Sequence, residues 1–264
     1  MKERQRKFLV EGNTLPEAYH NALIALYEHG IEVPCPNYNT NQKEISLSMV
    51  VKNPLEEPMI SRFGWTYPNA LERYRQEFLD GILDFEIEYG NWDYTYHDLM
   101  KEQIPWIIDV LTKDPHSRQA VITLPNEKTR TLNSPPCLQL VQYFIRDNEN
   151  KKKELLCEIT MRSNDALKAS FQNAFVFIML QQRMAEKLGI EKLGSYIHNA
   201  TSYHVYENDY EELEACMNRM KSGGPLTYDY IGDWDEQMEE EREDIAKLVL
   251  DLKKDPKEKI KQFG

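Results

Sequence analysis

Leu15, Ala18, Ala22, Leu23 and Leu26 recur at the three-to-four-residue spacing that lays apolar side chains along one face of a helix. Thr14 and Glu17 stand at its start as a T-x-x-E capping box, and Gly30 supplies the stop. Residues 31–43 are polar, rich in Pro and Asn, and read as a loop. In EISLSMVVKNP (44–54) Ile45, Leu47 and Met49 alternate, which predicts a strand. A second helix is predicted over 69–88, with Leu71, Tyr74, Phe78, Leu79 and Ile82 on its apolar side. NWDYTYHDL (91–99) is an aromatic turn, followed by a helix to about Lys113. DPHSR (114–118) is a loop and QAVITLP (119–125) a strand. LQLVQYFIR (138–146) and LLCEITMRS (155–163) read as strands joined by the charged, hairpin-like turn DNENKKKE. Residues 173–188 open with an almost unbroken apolar run, which marks a buried helix, and GSYIHNATSYHVYEND (194–209) is one more strand. Residues 221–240 read as loop, and a charged helix closes the pattern at about 241–253. Strands with helices interspersed predict a mixed α+β fold.

Composition narrows the class. A chain of 264 residues can bury a sizeable core, and 41% hydrophobic with 29% charged residues is ordinary for a globular protein. No apolar run approaches the roughly 20 residues of a membrane span, and the basic, polar start MKERQRKFLVEG lacks a signal-peptide core, so a cytoplasmic protein is expected. The net charge of −12 argues against broad nucleic-acid binding but leaves room for a small anion held by local arginines. Cys35, Cys137, Cys157 and Cys216 form no CxxC pair and no zinc-type cluster, so no metal is expected and each thiol is judged singly. The acidic run from Asp233 to Asp244 reads as a solvated face.

Four features could carry chemistry. Cys137 follows two prolines and opens a strand; such a cysteine is either a small buried hydrophobe or a nucleophile. Arg162-Ser163 leaves a strand and can bind an anion through guanidinium and hydroxyl, or is a turn at the surface. His204 and Tyr206, two apart on a strand, share one face and can bond a ligand hydroxyl together, or are ordinary strand residues. Asn173 begins an apolar helix, where a buried amide needs partners; it caps the helix or reads a ligand edge.

In order, DPHSRQAVI, PPCLQLVQ, RSNDALKASFQN and YHVY carry Arg118, Cys137, Gln142, Arg162-Ser163-x-Asp165, Asn173 and His204-x-Tyr206. This set resembles the thymidylate synthase family, whose pattern is S-R-R, P-C-H, a Gln five residues after the Cys, R-S-x-D, an Asn eight after the Asp, and H-x-Y. YRQEFLDGI resembles the family's glutamate-bearing helix and puts Glu77 on the catalytic glutamate; YTYH suggests Tyr96 as the active-site tyrosine. The resemblance is clearest over 114–209, weaker over 12–99, and leaves 217–264 unassigned; it implies one thymidylate synthase-like domain over 1–264, whose mixed sheet also forms a dimer interface.

That family adds one carbon to C5 of a pyrimidine nucleoside monophosphate, with 5,10-methylenetetrahydrofolate as donor and no metal. The resemblance implies that Cys137 adds as thiolate to C6, which makes C5 nucleophilic, and that Arg162 favours the thiolate. Arg162 and Ser163 would hold the phosphate, with Arg118 supplied by the other subunit of a homodimer. Asn173 would accept from uracil N3–H and donate to O4. His204 and Tyr206 would bond the 3′-hydroxyl, and Gln142 joins the substrate-binding set. Glu77 would order water and move protons at O4 and C5, with Tyr96 and Asp165 beside the folate and the base.

The chain also departs from the common pattern, and its short N-terminal helix unit, YTYH and PPCL resemble the divergent branch of archaeal-type synthases and nucleotide hydroxymethylases. Leu138 replaces the histidine after the cysteine, and Gln119 the second arginine. Lys168-Ala169 stand where Leu-Gly is usual, and the tail KEKIKQFG lacks an apolar end. No Gly/Thr-rich phosphate loop is present, with Arg62 in ISRFGW as its candidate substitute. Conversion of dUMP to dTMP is taken first. A dUMP, dCMP or CMP 5-hydroxymethylase, and a non-catalytic nucleotide-binding homologue, remain as alternatives.

Overall fold

The structure is a computed structural model and describes residues 7–255. The first six residues and the tail KEKIKQFG lie outside the described residues.

The amino-terminal part runs β1 (Lys7–Gly12), α1 (Leu15–His29), β2 (Ile31–Cys35), β3 (Thr40–Val51), β4 (Ile60–Ser61) and α2 (Pro68–Asp80). Then come α3 (Phe85–Glu88), α4 (Tyr96–Lys101), α5 (Ile104–Lys113), β5 (Val121–Thr123) and α6 (Glu127–Arg130). The centre of the fold is β6 (Leu138–Asp147), β7 (Lys153–Met161), β8 (Asn164–Asp165), α7 (Ser170–Leu188) and β9 (Lys192–Tyr206). The chain continues through α8 (Tyr210–Ser222), β10 (Thr227–Tyr228), α9 (Asp235–Glu240) and α10 (Arg242–Lys254).

One mixed sheet organises these elements in the order β1-β3-β9-β7-β6-β5, with β2 also paired to β3 and β8 to β9. β1–β3, β7–β9 and β8–β9 are parallel; the other pairs are antiparallel. Alternation decides the faces. Leu47, Met49, Val141, Tyr143, Ile159 and Tyr196 point into the core, while Ser48, Gln142, Glu158 and Asn199 on the opposite face are half-exposed. The buried helix α7 fills the core side with Phe171, Phe175, Phe177 and Ile178. Each such side chain contributes about 1.5–3 kcal/mol relative to exposure.

Three expectations change. Residues 31–43 are not a loop: Ile31 and Val33 alternate with polar residues, and the segment pairs with Thr40–Glu44 as a hairpin turned by Asn39 in the left-handed region (φ 51°). The helix over 69–88 stops at Asp80, because Gly81 takes φ 65° and its N–H closes on the Glu77 carbonyl. Residues 221–240 contain β10 and α9, which bury Met238 in the main core. At α1, Thr14 caps the Glu17 N–H as expected, but the Glu17 carboxylate reaches back to Asn13 N–H at 2.7 Å.

Candidate active site

Cys137 sits where β6 begins, half-buried, on a segment tied from two sides. Its carbonyl accepts from Arg162 N–H at 2.8 Å. The Arg162 guanidinium donates to the Pro136 and Pro135 carbonyls at 3.2 and 2.7 Å. The β6–β7 register shifts between Leu138 and Leu140, a bulge that re-aims side chains beside the cysteine. On the inner side, Leu138 N–H donates to the Tyr96 hydroxyl at 3.4 Å.

A cleft of about 250 Å³ opens in front of this thiol. Arg162, Ser163, Asn164 and Asp165 form one wall, on the turn from β7 into β8. His204 and Tyr206 reach in from the end of β9, which β8 extends in parallel. The β2–β3 hairpin closes the opposite side with Cys35, Asn37, Tyr38 and Gln42, and Tyr94 and Ser134 complete the lining. Asp165 accepts from the Leu167 and Lys168 N–H groups at 2.9 Å each. Burial nevertheless lifts its carboxyl above the usual range, with those donors and His204 pulling the other way. The buried His204 Nε2 has no hydrogen-bond partner among the described residues, and its ring meets Tyr206 edge-on at 4.9 Å. Such a nitrogen is satisfied when a ligand hydroxyl arrives.

Electrostatics at the thiol differ from the expectation. Arg162 does favour the thiolate, but burial outweighs it and holds Cys137 above the ordinary thiol value. Glu77, on α2, is buried with Oε2 unpartnered among the described residues, and burial pushes its carboxyl up to about 8. Asn173 is fully buried on the first turn of α7 and does not line the cleft; its Oδ1 accepts from the Tyr74 hydroxyl at 2.6 Å. The Tyr74 hydroxyl thereby ties α2, which also carries Glu77, to α7, and neither Glu77 nor Asn173 lines the cleft.

Of the residues singled out in the sequence, Cys137, Arg162, Ser163, Asp165, His204 and Tyr206 share the cleft. Arg118 is exposed and outside the cleft lining. Gln142 lies on the open face of the sheet and donates to the Arg118 carbonyl at 2.9 Å. Arg62 is not part of this site: it stacks on Tyr228 at 3.7 Å in a different pocket with Glu212 and Arg219. The sequence reading passed over the hairpin residues, Tyr94 and Asn164. An alternating I-E-V before an Asn-rich turn is the hairpin's signal, and Tyr94 and Asn164 stand inside the YTYH and RSNDALKASFQN stretches already quoted.

The family profile described as thymidylate synthase matches residues 62–261. The chain belongs to the thymidylate synthase family. Two archaeal relatives carry the name "Putative thymidylate synthase". The Methanocaldococcus jannaschii protein is 29% identical over 214 residues, covering 76% of this chain and 92% of that one. The Methanosarcina barkeri protein is 25% identical over 210 residues, covering 78% and 93%. The thermostable thymidylate synthase A of Bacillus subtilis shares the fold, with a TM-score of 0.61 at 18% identity over 78% of this chain and 84% of that one. Membership makes the chain a one-carbon transferase, of a family that uses methylenetetrahydrofolate. Among the described residues, no helix is long and apolar enough to cross a membrane, and no group of three or more side chains is arranged to hold a metal ion.

Proposed function

We propose that this enzyme transfers a one-carbon unit to C5 of a pyrimidine nucleoside monophosphate through a covalent Cys137 adduct, converting dUMP to dTMP. The observation that carries the reading is the cleft itself: a thiol, a guanidinium, a carboxyl and an unpartnered imidazole nitrogen face one space. The Arg162 guanidinium and Ser163 hydroxyl supply donors for a phosphate. His204 Nε2 and the Tyr206 hydroxyl take the sugar 3′-hydroxyl. Cys137 adds to C6, and charge develops on O4. Glu77, with a carboxyl pushed up to about 8, is protonated at neutral pH and donates towards that oxygen. Since Asn173 and Glu77 lie outside the cleft lining, binding of the base includes a rearrangement that opens the cleft towards them while Tyr74 keeps its bond to Asn173.

The chemistry of the donors fits methylenetetrahydrofolate, which supplies the one-carbon unit. A pterin offers N–H groups to a carboxyl and a plane to aromatic rings, and Asp165, Tyr38 and Tyr94 face the cleft together. Asp165 and Tyr94 would hold it, with Tyr96 behind. The family resemblance implies that Arg118 serves the site of a second copy in a homodimer, and its exposed position off the cleft of its own chain is compatible with that role.

Incubation with dUMP and methylenetetrahydrofolate, followed by mass measurement of the nucleotide, tests this. A gain of one methyl group with dihydrofolate formed is expected. A hydroxymethyl product with tetrahydrofolate assigns the hydroxymethylase reaction instead, and no product with dUMP, dCMP or CMP sinks the proposal. Mixing inactive Arg118→Ala and Cys137→Ala proteins restores activity if Arg118 acts across an interface.

A further inference from the structure

Behind the cleft, the Asn173 amide is gripped at both ends. Tyr74 on α2 donates from its hydroxyl to Oδ1 at 2.6 Å. On the other side, Nδ2 meets Met161 Sδ at 3.7 Å, at the end of β7. All three residues are buried. A primary amide keeps its shape on a half-turn but exchanges an acceptor for a donor. A phenol hydroxyl can serve either end, since it both donates and accepts. A thioether sulfur only accepts. Met161 therefore decides the orientation: a half-turn would set the carbonyl oxygen against sulfur. Tyr74 then completes the grip by donating to the carbonyl.

We propose that Tyr74 and Met161 are positioning residues that hold the Asn173 amide in one orientation, and so determine which pyrimidine edge the site accepts. The inference rests on Asn173 as the reader of the base. Uracil presents an N3–H donor beside the O4 acceptor; cytosine presents the N3 acceptor beside an amino donor. An amide free to turn matches either edge. An amide held at both ends matches one, because each end keeps one further bonding position, a second lone pair on Oδ1 and a second N–H on Nδ2.

The test is the affinity of dUMP and of dCMP for the full chain, by calorimetry, in the wild type, Tyr74→Phe and Met161→Leu. Both substitutions keep the packed volume nearly unchanged. The wild type is expected to favour dUMP, and each variant to lower the dUMP-to-dCMP ratio by about fivefold, the worth of one hydrogen bond. A purely structural role would weaken both nucleotides by the same factor and leave the ratio in place. An unchanged ratio in both variants overturns the inference, as does a wild type that binds both equally. A wild type that binds neither nucleotide removes the proposed function and this inference with it.

Discussion

Cys137 is pulled two ways, upward by burial and downward by the Arg162 guanidinium, and burial prevails in the protein as it stands. The thiol is therefore mostly protonated at neutral pH. Its alkylation by iodoacetamide is expected to rise with pH through a midpoint above that of a free cysteine, with Arg162→Gln moving the midpoint higher still. A midpoint at or below that of free cysteine would contradict this. Glu77 makes a second prediction at this scale. Its carboxyl is raised from 4.5 to about 8, so across that window the native state holds a proton that the unfolded state has released. Stability attached to Glu77 is thus full below about pH 4.5 and lost as pH rises towards 8, by an amount on the order of several kcal/mol. Glu77→Gln, which does not ionise, is expected to melt above the wild type at pH 8.5, with the gap closing towards pH 5. A gap independent of pH would show that Glu77 is ionised in the native protein.

At the scale of elements, α2 connects the site to the carboxy-terminal helices. Buried Glu72 accepts from Arg75 at 2.6 and 2.7 Å, from Gln76 at 2.8 Å and from Arg242 of α10 at 2.9 Å. Burial alone would lift this carboxyl, and the bonds from Arg75, Gln76 and Arg242 together bring it below its ordinary value. Glu72→Ala leaves Arg75 without its anion and is expected to cost about 3 kcal/mol in urea unfolding. Arg242→Ala, losing a half-exposed arginine, costs about 1 kcal/mol or less. Hydrogen exchange should show α10 losing protection in Glu72→Ala while α7 keeps it. Elements were legible to differing degrees. The periodicity of α1, β3, β6, β7 and β9 is strong enough to read directly. The break in the predicted second helix hinged on one glycine in the left-handed region. The β2–β3 hairpin was hidden by its Pro and Asn content, although pairing to β3 makes it a strand and a wall of the cleft.

For the whole molecule, two buried histidines govern behaviour in acid. Burial lowers His20 to about 4 and His198 to about 3, from 6.5. His20 bonds Ser61 Oγ at 2.8 Å, and His198 bridges Tyr196 Oη and Asn164 Oδ1 at 2.9 and 2.8 Å. Their folded pKa values are depressed, so the associated stability is complete above about pH 6.5 and declines as pH falls towards 4. Each histidine contributes a slope of about 1.4 kcal/mol per pH unit within its window. Glu77 opposes one of these slopes between its own limits. Urea midpoints measured from pH 7 to 4 are expected to fall less steeply in His20→Gln than in the wild type; equal slopes would mean that His20 is charged in the native protein.

The sequence by itself determined the order of the chemical groups along the chain and the periodic faces that form most helices and strands. The family resemblance rested on that order, because spacings such as Cys137 to Gln142 or Asp165 to Asn173 are properties of the chain alone. Tertiary packing decided what those groups meet. Tyr74 reads in sequence as one more apolar position on a helix, yet its hydroxyl finds Asn173, 99 residues away. The same packing put Arg62 in another pocket, turned Gln142 to the open face of the sheet, and let burial outweigh Arg162 at the thiol. Side-chain periodicity is set by neighbours along the backbone, whereas desolvation and hydrogen-bond partners depend on which distant segments share a volume, and that is settled only when the sheet and helices close on one another.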